Sequence, residues 1–179
     1  MLVLPLVMLV LAAGRGSSRD ALWMGVGFLV FAAVVMAYSK HKVRRGQWAH
    51  VDASNHEERK SLNRFLLVAL LVSAALAAFT GMPREFALGL ALSAAMVAVA
   101  MLTACWCKLS LHMAFVVFAV FLLASMSWWA ALCGLVFAIL VAWSRLRLQR
   151  HVPRDLMAGT CTGALAGIAY LIAGSGVAS

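Results

Sequence analysis

From Ala21 to Gly174 the chain is a succession of six apolar runs: Ala21–Ser39, Phe65–Gly81, Phe86–Cys107, Leu109–Ser125, Trp128–Trp143 and Leu156–Gly174. A helix needs roughly 20 apolar residues to cross about 30 Å of hydrocarbon, and each run is near that length. Composition closes the alternatives. The 179 residues are 65% apolar and 12% charged, with a mean hydropathy of +0.97, whereas soluble domains carry about 25% charged residues. A globule of this size in water has no means of burying so much apolar surface, and disordered, collagen-like and disulfide-scaffold folds fail on the same numbers. The expected fold is therefore all-α: a polytopic transmembrane helical bundle with six core spans, forming a single domain over 1–179 with its core at 21–175. A short apolar segment, Met1–Ala13, precedes the spans and ends at the polar stretch Gly14–Asp20. It lacks the basic start and small-residue cleavage site of a signal peptide, so it reads as a re-entrant or tilted first helix.

The net charge of +9 comes from 15 Lys and Arg against 6 Asp and Glu. In a soluble chain that excess points to nucleic acid. Here the cations lie between apolar runs, so the expected partners are membrane lipids and an anionic substrate, with no nucleic acid. Counting crossings from the long polar segment Lys40–Asn63 brings the chain back to the same side at Lys108 and again at Ser144–Asp155. Twelve of the fifteen cations then share one face, leaving Arg15, Arg19 and Arg84 on the other, and all five histidines lie on the cation-rich side. Positive-inside counting turns that face to the cytoplasm. Trp23, Trp106, Trp128, Trp129 and Trp143 fall at span ends, where indole favours the interface.

Smaller features have plain readings. Gly159, Gly163 and Gly167 recur every four residues in the last run and suit close helix packing. Packing inside the chain is the first use of that row, and a homo-oligomer the second. Cys105, Cys107, Cys133 and Cys161 all sit in apolar stretches and read as packing residues. His41, His50 and His56 are irregularly spaced and read as solvated loop residues, not metal ligands.

Two polar segments carry an ordered set of groups. One is Lys108-Leu109-Ser110-Leu111-His112 at the start of a span. The other is Ser144-Arg145, then His151, then Asp155. His151 and Asp155 are four apart, so their side chains can meet on a helical turn. A carboxylate that takes one imidazole N–H fixes the tautomer and leaves the other nitrogen as base or nucleophile. Arg145 offers a planar fork for phosphate oxygens, and Ser110 at a helix start adds neutral donors for an anion.

The run Ser144-Arg145-x5-His151-x3-Asp155 resembles, in full, the third signature of the type 2 phosphatidic acid phosphatase superfamily, S-R-x5-H-x3-D. The second signature, P-S-G-H, is matched at Ser110 and His112, with Leu109 and Leu111 replacing the proline and glycine. The first, K-x6-R-P, is divergent: Arg59 takes the arginine position, Lys60 replaces the proline and Asp52 stands where the lysine belongs. Lys42 or Lys60 is the candidate for the missing cation. The resemblance spans about residues 40–174 and is similar to small bacterial members. It implies a multi-pass protein of the bacterial inner (cytoplasmic) membrane that hydrolyses a lipid phosphate or diphosphate monoester, without metal or other cofactor. His151 would form a phosphohistidine, oriented by Asp155. His112 would protonate the leaving oxygen, and Arg145, Arg59, Ser110 and Lys108 would hold the phosphoryl group. The alternative is a non-catalytic membrane protein that binds anionic headgroups or scaffolds a complex. A transporter fits less well, because the ionisable groups gather at one face rather than near the midplane.

Overall fold

Turns set the architecture. At Gly46 and Gly81 the backbone takes φ of 68° and 71°, a left-handed conformation that glycine adopts without steric cost. Each glycine ends a helix by the same pattern: Gln47 N–H bonds to Lys42 C=O at 3.0 Å, and Met82 N–H to Ala77 C=O at 3.1 Å. These bonds from beyond the helix end cap the last carbonyls and reverse the chain. Pro83 follows the second turn and starts the next helix, where its missing N–H costs nothing.

The computed structural model describes residues 18–49, 55–148 and 152–175. The N-terminal segment Met1–Ala13 lies outside them. The described residues form α1 (Ser18–Arg44), α2 (His56–Phe79), α3 (Arg84–Leu102), a 3-10 turn (Thr103–Cys105), α4 (Leu111–Ala124), α5 (Trp128–Arg147) and α6 (Pro153–Ser175). An all-helical chain follows directly from the apolar runs, and α1 and α2 also extend into the polar segment between them.

One expectation is corrected. Six core spans were expected, but among the described residues five helical segments are long and apolar enough to cross a membrane: Gly25–Arg44, Glu57–Phe79, Arg84–Cys105, Trp128–Arg147 and Pro153–Gly174. The fourth apolar run yields α4, a helix of 14 residues. At 1.5 Å per residue it is about 21 Å long, short of a bilayer core. Its limits are local. Ser110 precedes it in an extended conformation, and after Ala124 the hydroxyl of Ser125 bonds back to Leu122 C=O at 2.7 Å before Ser127 opens α5.

Short as it is, α4 is the centre of the molecule. Met113 to Ala119 and Leu122 are all buried, packed between α5 and α6 with α3 alongside. The glycine row of α6 makes this possible. A Cβ on Gly159 would lie 2.5 Å from Ser110 C=O, one on Gly163 would strike the Ala114 carbonyl, and one on Gly167 the Phe121 ring. All three glycines therefore face α4 of the same chain, and an oligomer built on that row would have to displace α4.

The outer helices are apolar on the outside. Leu29, Val68, Ile139, Leu165 and Ile172 are all exposed, as a lipid-facing surface requires and a water-facing one does not. Trp106, Trp128, Trp129 and Trp143 also project outward. Helix α1 is the most peripheral. It holds on through an edge contact of Phe28 with Phe86 (5.5 Å between centroids), a stack of Tyr38 on Phe65 (3.9 Å), and a Tyr38–Ser61 hydroxyl bond of 2.9 Å. The result is a helical bundle suited to a membrane.

Candidate functional site

Three chain segments meet at one end of the bundle: the start of α2, the stretch 106–110 before α4, and the start of α6. The first is ordered by Glu58, a buried carboxylate. Its Oε1 accepts the Ala49 N–H at 2.8 Å and the Asn55 side-chain amide at 3.3 Å, and its Oε2 accepts the Asn55 N–H at 3.2 Å. This half of a capping box ties the incoming chain to the first turn of α2. Trp48, also buried, sits edge-on to Tyr38 behind it. Arg59 comes next in sequence and is half-buried. Its Nε is shut off from solvent and has no hydrogen-bond partner.

The second and third segments are joined by Asp155. Its side chain is buried, and Oδ1 accepts the Lys108 N–H at 3.2 Å and the Cys107 Sγ–H at 3.3 Å. Its own carbonyl accepts the Ser110 N–H at 3.2 Å. One residue in the first turn of α6 thus fixes the path of 107–110 and delivers Ser110 to the head of α4. Ser110 is 0% exposed, makes no side-chain cap bond, and its Oγ has no partner.

Electrostatics confirm the proximity. The Lys108 ammonium is held below the usual lysine range, first by partial burial and then by the charge of Arg59, with Asp155 opposing both. Arg59, Lys108 and Asp155 therefore act on one another at the end of the bundle that also holds two buried polar atoms without partners. Leaving a buried donor unsatisfied costs about 1–3 kcal/mol. Each of the two atoms is a donor of the kind an oxyanion accepts from.

Four of the expected site residues are brought together: Arg59, Lys108, Ser110 and Asp155. His112 is half-buried in the first turn of α4, two residues beyond Ser110, and Arg145 is half-buried in the last turn of α5. His151 lies outside the described residues, as do His50 and Asp52, so its expected contact with Asp155 does too. The two candidates for a replacement cation are engaged elsewhere. Lys42 donates to Gln47 at 2.8 Å and stands over the Tyr38 ring, and Lys60 pairs with Glu57 at 2.9 Å.

Two residues at this end carry roles the sequence reading did not give them. Glu58 was legible in principle, since Asn55-x-x-Glu58 has capping-box spacing. Cys107 was not. It was expected to pack with the other cysteines, but Cys105, Cys133 and Cys161 are exposed, and Cys107 alone among the four has a carboxylate partner. The stretch after the 3-10 turn is not helical, so Cys107 does not continue the apolar helix of the run it belongs to. Its thiol is pushed above the usual range, first by burial and then by the bond to Asp155, with Arg154 opposing.

Comparisons with models of protein families, with curated proteins and with solved structures find no significant match.

Proposed function

We propose that the chain is an integral-membrane lipid phosphatase acting on a phosphate or diphosphate monoester at the bilayer surface. The observation that carries this reading is the pair of buried atoms without partners, Ser110 Oγ and Arg59 Nε, at the end of the bundle where Lys108 and Asp155 meet. The likeness of Ser144-Arg145-x5-His151-x3-Asp155 to the phosphatase signature supplies the chemistry. In this reading the phosphoryl oxygens lie on Ser110, Arg59 and Lys108, with Arg145 closing on them from α5. Fixed donors aimed at the growing charge lower the barrier more than they stabilise the ground state. His151 attacks phosphorus and takes the phosphoryl group, while His112 gives the leaving oxygen its proton and then draws one from the water that hydrolyses the phosphohistidine. The groups that carry the acyl or prenyl chain are the apolar outer faces of the helices, so the substrate class is a lipid: a prenyl diphosphate, phosphatidate, phosphatidylglycerol phosphate or a phosphorylated glycolipid.

A second reading is a protein that binds anionic headgroups without turning them over. It is favoured by Asp52 and Lys60 standing where the family signature has lysine and proline. Detergent-purified protein assayed against those four lipid classes separates the two. Phosphate release that orthovanadate blocks, and that His151→Ala abolishes, is the expected result. Absence of release from all four, with orthovanadate still bound, selects the headgroup-binding reading.

A further inference from the structure

Asp155 has an unusual set of neighbours for a buried carboxylate in an apolar bundle. A buried charge is tolerated only when donors surround it. Among the described residues, charged or titratable groups near it include Arg59 on α2, Cys107 and Lys108 on the stretch before α4, and Arg154 on its own helix, which acts on the Cys107 thiol. Lys108 contributes a backbone N–H at 3.2 Å. Cys107 contributes a side-chain donor on Oδ1 at 3.3 Å, a short distance for sulfur. The remaining cysteines of the chain are exposed and make no bond to a charged group.

We infer that Cys107 is a positioning residue: its thiol donates to Asp155 Oδ1 and so fixes the carboxylate that orients the attacking histidine. The inference rests on the phosphatase reading. Its physical content is reciprocal. The carboxylate keeps the thiol protonated, so Cys107 serves as a donor and not as a nucleophile, and the thiol and the Lys108 N–H together remove the rotational freedom of the carboxylate. Oδ1 then has two donors in fixed directions, and the plane of the carboxylate is set from the α4 side of the site. A side chain lacking the donor leaves the buried carboxylate with one hydrogen bond fewer. Serine keeps a donor but is shorter-bonded than sulfur, so it replaces the function with a small adjustment of the loop.

Two measurements test this, and they fail independently. In protein retaining Cys107 alone (Cys105→Ser, Cys133→Ala, Cys161→Ala), the rate of alkylation by N-ethylmaleimide is followed against pH. Adding Asp155→Asn is expected to move the midpoint of that curve down by about one pH unit, the effect of removing one adjacent negative charge, and to leave the high-pH plateau unchanged. A raised plateau without a shifted midpoint means only that the loop has opened, and overturns the inference. In the turnover assay, Cys107→Ala is expected to lower kcat about tenfold at unchanged KM, with most of the loss recovered in Cys107→Ser; a misplaced orienting group has this signature. Unchanged kcat in Cys107→Ala overturns the positioning role. A shifted midpoint in protein that turns over no substrate upholds the thiol–carboxylate pair and overturns the phosphatase reading alone.

Discussion

Ser110 shows how a single atom distinguishes a site from a core. A hydroxyl that is fully buried with no partner destabilises the fold, so its removal should do the opposite. Ser110→Ala is expected to raise the unfolding free energy in detergent by about 0.5–1 kcal/mol in the absence of anion. Orthovanadate at a hundredfold excess over its Kd should stabilise the unsubstituted protein by about 2.7 kcal/mol, and Ser110→Ala should lose most of that gain. Denaturation with and without orthovanadate reads both signs. A serine that only packed would give the first and not the second. At this scale the sequence was informative about placement: Ser110, Arg59 and Lys108, singled out by their spacing, lie with Asp155 at one end of the bundle. It was silent on Cys107, whose partner is 48 positions away.

Among the elements, the crossing of α6 over α4 has the least room for change. A Cβ on Gly163 meets the backbone carbonyl of Ala114, which cannot rotate aside as a side chain can. Gly163→Ala is expected to cost about 1–3 kcal/mol through this overpacking. Gly27→Ala on α1 is the control: nothing lies within 4 Å of the added Cβ, and a helical glycine replaced by alanine gains about 0.5–1 kcal/mol. Thermal unfolding in one detergent compares the pair. The glycine spacing made the close approach legible, but its partner was not. The run Leu109–Ser125 looked like another span because hydropathy registers apolarity without its cause. In α4 that cause is protein on all sides, and its start is fixed by the bonds from Asp155, which no window of local sequence contains.

At the scale of the whole molecule, the helices bring ionisable groups from distant parts of the chain to one end, as counting chain reversals leads one to expect. Arg59, Lys108 and Asp155 come from three separate segments and act on one another. With twelve cations assigned to that side against three, the end is expected to face the cytoplasm. Asn55, exposed beside Glu58, is the place to test it. In a variant lacking the native cysteines, Asn55→Cys should resist a membrane-impermeant maleimide in intact cells and react after permeabilisation. Labelling of intact cells would put the site outside and point to a substrate in the outer leaflet. The brevity of α4 has a further consequence, for biosynthesis. A segment of 14 residues is too short to halt in a bilayer alone, and only Ser125–Ser127 separates it from α5. The two therefore enter as a hairpin, with α4 left to find its cover from α6, which is made later. Until α6 arrives, Ser110 has no Asp155 carbonyl to hold it. A nascent chain released before Pro153 would carry the apolar core and the cations, but no assembled site.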